Sequence, residues 1–563
     1  MKASNEGARL QARRTTRLFG GVIPSVARAL FARAESKDHY SHNTLLPAAP
    51  EQQVPPLGLE AFGRDDKKTR IAVTARLKAR PIAVACSLML LAALAPAQQV
   101  VPWNKVQAPQ LPAFTPQEPT RIQLANGMVI FLQPDHELPL ITAVARIRGG
   151  SVSEPANKTG LGDLYGEVWR TGGTKTKTGD QMDDFLEIRA AKIETDNQSD
   201  STSISLNCLK GDFDAVFDLY LDLVHNPEFR EDKLALAKQQ MYTSIARRND
   251  DVEAIVHREA LILGYGKDNP YARVPEYATV AAVTRQDLLN WHQQYVYPNN
   301  IIFGITGDFD PHAMEARLRQ AFASWAKGPQ AKTPDVKFTP PKPGYYLVRK
   351  SDVNQTTISM LDLGIERSNP DYYALTVMNQ IFGGGFSSRL FNNLRTALGL
   401  AYSVGGGVGY GWTHPGLTDF VMQTKSASTV DGIKGIYGQI DDLFKDPPNA
   451  EEMKRAKDDI LNSFIFQFDT PEKVLREKMA YEFYGYPLDF LERYRTEVEK
   501  ITADDVERVA HKYIHKDQFA VLVVGNDKEF QTPLSSLGPV TDVDIAIPPP
   551  PASLMQEQGA GTE

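Results

Sequence analysis

The sequence predicts an α+β protein made of two duplicated domains, each a mainly antiparallel sheet with packed helices. One pattern occurs twice, in TRQDLLNWHQQYVYPNNIIFGITGDFD (Thr284 to Asp310) and in TADDVERVAHKYIHKDQFAVLVVGND (Thr502 to Asp527). Each copy reads as a Thr-initiated amphipathic helix, a turn, an apolar strand and a closing Gly. Thr284 and Thr502, Asp287 and Asp505, Tyr295 and Tyr513, and Gly307 and Gly525 are each separated by 218 residues. Four matches in one ungapped register mark a duplication. Between the copies, GPQAKTPDVKFTPPKPG (Gly328 to Gly344) is rich in Pro, Gly and Lys without an apolar period, which predicts an extended linker.

Strand and helix signals alternate along each copy. RIQLANGMVIFLQPD (Arg121 to Asp135) reads as a hairpin turning at Asn126-Gly127. ITAVARIRGG (Ile141 to Gly150) and DSTSISLNCL (Asp200 to Leu209) alternate apolar and polar residues as half-buried strands do. Apolar residues three and four apart predict helices over Asp212–His225, Glu231–Arg248 and Asp371–Phe382. The end of the chain, 531–563, with Pro548 to Pro551 in a row, predicts a disordered tail.

Composition excludes some functions. The chain has 563 residues, 42% of them hydrophobic, enough for two or more filled cores. It carries 62 Lys and Arg against 69 Asp and Glu, and the first 80 residues hold 15 of the basic and only 7 of the acidic residues. The remainder is acidic, which argues against nucleic-acid binding.

PIAVACSLMLLAAL (Pro81 to Leu94) follows Arg76, Lys78 and Arg80 and precedes Ala95-Pro96-Ala97. That is the order of a cleaved secretory signal, here 73–97. The apolar run falls short of the roughly 18 residues a membrane span needs. The expectation is an exported, periplasmic chain with no stable membrane anchor. Residues 1–72 lack periodicity and read as disordered or as a mis-assigned start, with translation beginning near Val73. Cys86 lies in the signal, so the mature chain keeps only Cys208 and has no internal disulfide.

Gly149-Gly150-Ser151, then Glu154, then GLGDLYGEVWRTGGT (Gly160 to Thr174), together with Asn126-Gly127, NPYAR (Asn269 to Arg273), Tyr297-Pro298-Asn299-Asn300 and Gly307-Asp308, resemble the pitrilysin or insulinase-like zinc metallopeptidase family. The resemblance covers about residues 118 to 530 and implies peptidase-like domains at 118–327 and 344–530 around a linker at 328–343. In that family a helix carries His-x-x-Glu-His. Its two His share one helix face and bind zinc, while the Glu takes a proton from the metal-bound water. Here the aligned positions are Asp163, Gly166 and Glu167, and the third ligand, a Glu further on, falls near Thr243 and Ser244. Each departs from the pattern, so no metal is expected in this chain. Asp163 and Glu167 then read as a solvated or ion-paired helix face. His511 and His515, also four apart, lack any such motif around them.

FGGGFSSRLFNNLRTALGLAYSVGGGVGYG (Phe382 to Gly411) resembles the family's Gly-rich segment and its Arg/Tyr pair, here Arg395 and Tyr402, seven residues apart. Peptide hydrolysis builds negative charge on the scissile carbonyl, and an aimed phenol hydroxyl stabilises it. The resemblance implies that Arg395 holds substrate and that Gly383, Gly384 and Gly385 let the peptide backbone approach. Two rival readings stand beside this one: a phosphate-binding loop, which lacks a Walker lysine, and a tight turn with a surface Arg and a core Tyr.

The resemblance thus implies the non-zinc, substrate-binding subunit of a heterodimeric, mitochondrial-processing-peptidase-like enzyme. It would be inactive alone, and a partner subunit would carry the zinc. The alternative is a binding or structural homologue like the core subunits of respiratory complexes, which resemble the family and cleave nothing.

Overall fold

The computed structural model describes residues 116–552. The predicted signal, the segment before it and the last residues, 553–563, lie outside the described residues.

In the first half, β1 (Thr120–Gln123), β2 (Val129–Pro134), β3 (Leu140–Arg148), β4 (Lys192–Asn197), β5 (Ser201–Leu209) and β6 (Ile301–Gly307) form a sheet in the order β1-β2-β6-β3-β5-β4. β2 and β6 run parallel and the other neighbours antiparallel. The β1–β2 turn is Asn126-Gly127, where Gly127 takes φ +91° and the Asn126 amide donates to the carbonyls of Phe322 and Trp325. Alternation in β3 sends Ile141, Ala143, Ala145 and Ile147 to one face, where helices Leu161–Thr171 and Phe213–His225 cover them with Tyr165, Trp169, Phe217 and Tyr220.

The second half repeats this plan. β7 (Gly344–Arg349), β8 (Gln355–Leu363), β10 (Ala401–Gly407), β12 (Leu417–Lys425), β13 (Ala520–Gly525) and β14 (Val540–Asp542) form a sheet in the order β10-β12-β8-β13-β7-β14, with β9 (Ile365–Glu366) and β11 (Tyr410–Gly411) paired apart from it. Position by position, β7 stands for β2, β8 for β3, β10 for β4, β12 for β5 and β13 for β6, with β7 and β13 parallel as β2 and β6 are. The duplicated residues recur in equivalent roles. Thr284 and Thr502 cap helices Arg285–Tyr295 and Ala503–Tyr513, each in a capping box with its Asp, Asp287 or Asp505.

The outermost strand differs and corrects the tail expected at 531–563. The first half fills its edge with β1, from before β2. The second half fills it from the C-terminus, where Val540 pairs with Tyr345, Val543 N donates to Leu347 O at 2.8 Å and Leu534 is buried. No hairpin strand precedes β7, so without β14 that edge would present unpaired N–H and C=O groups. The described chain continues past this strand through the proline run.

Each sheet has a second apolar face, and the other half covers it. Helix Val252–Tyr265, from the first half, packs Ile255, Val256 and Ala260 on Val348, Leu361, Leu522 and Val524. Helix Pro471–Tyr484, from the second half, packs Leu475, Met479 and Phe483 on Val129, Phe131 and Ile302. Arg121–Glu482 at 2.7 Å and Tyr484, whose hydroxyl donates to Asp200 and accepts from Arg146, both at 2.6 Å, hold the rim of that seat.

Residues 328–343 contain no helix or strand, as expected of a linker, yet are pinned at several points. Asn299 and Asn300 hydrogen-bond Gly328, Pro329 and Ala331, and Phe338 stacks on His414. Among the described residues no helix is long and apolar enough to cross a membrane.

Candidate functional site

The helix at the degenerate zinc motif, Leu161–Thr171, starts at Gly160, whose φ of +101° suits glycine. Glu154 accepts from Gly160 N and Gly162 N, both at 2.8 Å, and closes the helix N-terminus. Burial first, then Asp163, pushes the Glu154 carboxyl up to about 8 against the pull of those two N–H groups and Arg273. Arg273 of the NPYAR segment donates to Glu154 O at 2.9 Å, which joins those two motifs in space.

Asp163 and Glu167 are exposed on one face of the helix and, among the described residues, neither carboxylate has an ion-pair partner. Of the two readings open for that face, the solvated one is what the structure contains. Desolvation and then Asp196 raise the Asp163 carboxyl to about 6, with the Asn197 amide opposing.

Gly166, where the family's base would stand, faces β4. A Cβ there would lie 3.0 Å from Asn197 N and 3.3 Å from Asn197 Cβ, and Thr195 Oγ1 already donates to Gly166 O at 2.5 Å. The strand has closed on the helix. Thr243 and Ser244, at the third-ligand position, are exposed on helix Glu231–Ala246 and offer no carboxylate. Among the described residues no group of three or more His, Cys, Asp or Glu is placed to hold a metal ion.

Behind this helix, Tyr165 donates its hydroxyl to His292 Nδ1 at 2.8 Å, and His292 Nε2, which must carry the proton, donates to Val224 O at 2.9 Å. Burial pushes this imidazole down to about 4. A histidine depressed in the fold contributes stability that is fully present above its unfolded value near 6.5 and is lost as pH falls through the folded one. The urea midpoint of the wild type is therefore expected to fall between pH 6.5 and 4. His292→Gln, which keeps one donor and one acceptor, should flatten that limb. An unchanged acid limb in the variant would remove His292 from the account.

Arg395 and Tyr402 come together in the second half. Arg395 lies in a π-helical turn, Phe391–Ala397. Tyr402 is the extra residue of a β-bulge in β10, between the pairs Ala401↔Thr424 and Ser403↔Gln423, and the bulge turns its ring outward to 66% exposure. Arg395 Cζ sits 5.9 Å from the Tyr402 ring centre and 4.7 Å from that of Phe391. Neither the guanidinium nor the phenol hydroxyl has a hydrogen-bond or ion-pair partner among the described residues. Such exposure excludes the core tyrosine of the tight-turn reading.

Gly383 lies against β10: its carbonyl accepts from Gly406 N at 3.1 Å, and a Cβ would come within 2.4 Å of Gly406 O. At Gly384 a Cβ would meet Gln380 Cα at 2.7 Å. These two glycines therefore have packing roles of their own, while a Cβ at Gly385 would make only an ordinary contact, with Gln380 Nε2 at 3.7 Å. Arg389, the other arginine of the segment, is committed to Glu452 at 2.8 Å, and the segment has no lysine to take a phosphate as a Walker loop does. His511 stacks on Phe444 and His515 lies 3.4 Å from Asp362, so the two point to different partners.

Sequence reasoning missed two features. Asp419 of β12 accepts from Ser359 at 2.7 Å and is pushed up to about 7 by burial. Phe386, 47% exposed, meets Phe391 edge-on at 4.9 Å, and nothing in the local pattern distinguishes it from a core aromatic.

Two sheets of the same plan, with helix Leu161–Thr171 on one and Arg395 beside Tyr402 next to the other, define a duplicated, peptidase-like fold. Residues 131–269 match the insulinase family (peptidase family M16), and residues 282–460 match the peptidase M16 inactive domain. The chain belongs to the M16 peptidase family. It is 23% identical over 418 residues to an uncharacterized zinc protease of Rickettsia felis, covering 72% of this chain and 97% of that one. It is 22% identical over 424 residues to the non-peptidase homolog YmxG of Helicobacter pylori, covering 75% and 96%. Its fold is like that of a peptidase M16 inactive domain from Pseudomonas fluorescens, at TM-score 0.67 and 23% identity, covering 74% of this chain and all (100%) of the other.

Proposed function

We propose that this chain is the zinc-free, substrate-binding subunit of a two-chain, exported M16 peptidase, lending Arg395 and Tyr402 to a zinc site on a partner subunit. The observation that carries this is the pairing of two unengaged groups, the Arg395 guanidinium and the Tyr402 hydroxyl, on an exposed sheet edge. The half that would hold zinc has Gly166 shut against β4. Peptide in extended form is the ligand such an edge takes, since β10 is the last strand of its sheet and only its C-terminal part is engaged, where Gly406 N donates to Gly383 O.

A second reading draws on the Helicobacter pylori relative, whose name calls it a non-peptidase homolog. In that reading the same groups bind peptide and nothing is cleaved.

The mature chain, purified alone, is expected to contain no stoichiometric zinc and to cleave no peptide. Elemental analysis finding about one tightly held zinc per chain would overturn the proposal. Co-purification from the native host should bring down a chain with intact His-x-x-Glu-His, and recovery of the chain with no such partner would favour the second reading.

A further inference from the structure

Arg395 is a long cation held, among the described residues, without a carboxylate partner. Fixing an arginine costs rotamer entropy, and proteins commonly offset it with an ion pair, as Glu452 does for Arg389 two residues before Phe391. An ion pair occupies the N–H donors. Here two aromatic rings, Phe391 at 4.7 Å and Tyr402 at 5.9 Å, do the fixing. A ring face attracts the cation while its in-plane N–H groups stay free. Phe386 meets Phe391 at 4.9 Å and 85°, the edge-to-face arrangement that holds a ring in orientation. The turn is locally special as well. Leu398 N donates to Asn393 O, five residues back, at 3.0 Å, and π-type turns of this kind occur frequently at functional sites.

We propose that Phe391, buttressed by Phe386, is a positioning residue that presents the unshared donors of Arg395 to the backbone carbonyls of an extended peptide. This rests on the reading that Arg395 binds peptide. Phe391 acts through Arg395, so its removal weakens binding only while Arg395 is present.

Fluorescence polarisation with fluorescein-labelled casein peptides, on the full mature chain, tests it. Phe391→Leu should weaken binding roughly fivefold, the scale of one cation–π contact. Phe391→Tyr should restore it, and Phe391→Leu combined with Arg395→Ala should bind no worse than Arg395→Ala alone. Phe386→Leu, at a half-exposed position where folding is not at stake, should weaken binding by about twofold. Urea midpoints should stay at the wild-type value. Wild-type binding by Phe391→Leu beside a weakened Arg395→Ala, or additive losses in the double variant, would overturn the proposal. Should Arg395→Ala leave binding unchanged, or the wild type bind no casein peptide, the peptide-binding reading fails instead. The positioning claim is then decided by the Arg395 Nε–H resonance. A ring-shifted signal in the wild type and Phe391→Tyr that collapses in Phe391→Leu supports it, and one indifferent to Phe391 overturns it.

Discussion

Tyr402→Phe, introduced into the chain and reconstituted with its zinc-bearing partner, is expected to lower kcat by about 10²–10³, the usual loss for one oxyanion donor. Fold and partner binding should survive. The hydroxyl has no partner among the described residues, and the ring that remains keeps its place beside Arg395 at 5.9 Å. Arg395→Ala should act on a different step, raising KM more than it lowers kcat, because its donors hold substrate in the ground state as well as in the transition state. The two variants together separate the readings. In a binding protein Tyr402→Phe has no catalysis to change, whereas Arg395→Ala still weakens peptide. A reconstituted pair that keeps full activity with Tyr402→Phe would show that the hydroxyl is not aimed at the reacting carbonyl.

What the sequence disclosed, and what it hid, follows from the range of the forces involved. The duplication was legible because its signature residues act locally. Thr284 with Asp287, and Thr502 with Asp505, cap their own helices within one turn. The Arg/Tyr pair was legible as a spacing, but not the bulge that turns Tyr402 outward, because a bulge is defined by the partner strand and Thr424 and Gln423 lie more than twenty positions away. The tail was misread for the same reason. VTD at 540–542 is too short to announce a strand, and it becomes one only because β7 offers a vacant edge. The loss of metal ligands at Asp163, Gly166 and Glu167 could be read directly. The closure of β4 on Gly166 could not, since it depends on a 3.0 Å approach of Asn197 from a separate strand. The exchange of helices between the halves left no periodic trace, because Val252–Tyr265 and Pro471–Tyr484 look like ordinary amphipathic helices of their own domains.

That exchange carries the second large expectation. Gly304, in the centre of β6, lies under Met479. A Cβ at 304 would come within 2.2 Å of Met479 Sδ and 3.2 Å of Leu475 Cδ1. Gly304→Val therefore pushes helix Pro471–Tyr484 off its seat. Overpacking of this kind costs about 1–3 kcal/mol where the core can adjust. Lifting the helix also exposes Leu475, Met479 and Phe483, each 2–3% exposed in the fold and each worth about 1.5–3 kcal/mol when buried. The wild type is expected to unfold in urea as one transition, because each sheet depends on a helix from the other half. Gly304→Val should lower the midpoint and split the transition in two, as each half falls back on its own main core. The Arg121–Glu482 and Arg146–Tyr484 contacts, at the rim of the same seat, should be lost with the first step. Met479→Ala in the Gly304→Val background removes the colliding sulfur and should recover most of the midpoint and the single transition. A Gly304→Val chain that unfolds like the wild type would mean that Met479 has another place to go. One that is destabilised but not rescued by Met479→Ala would put the cost in the strand itself and not in the seat between the halves.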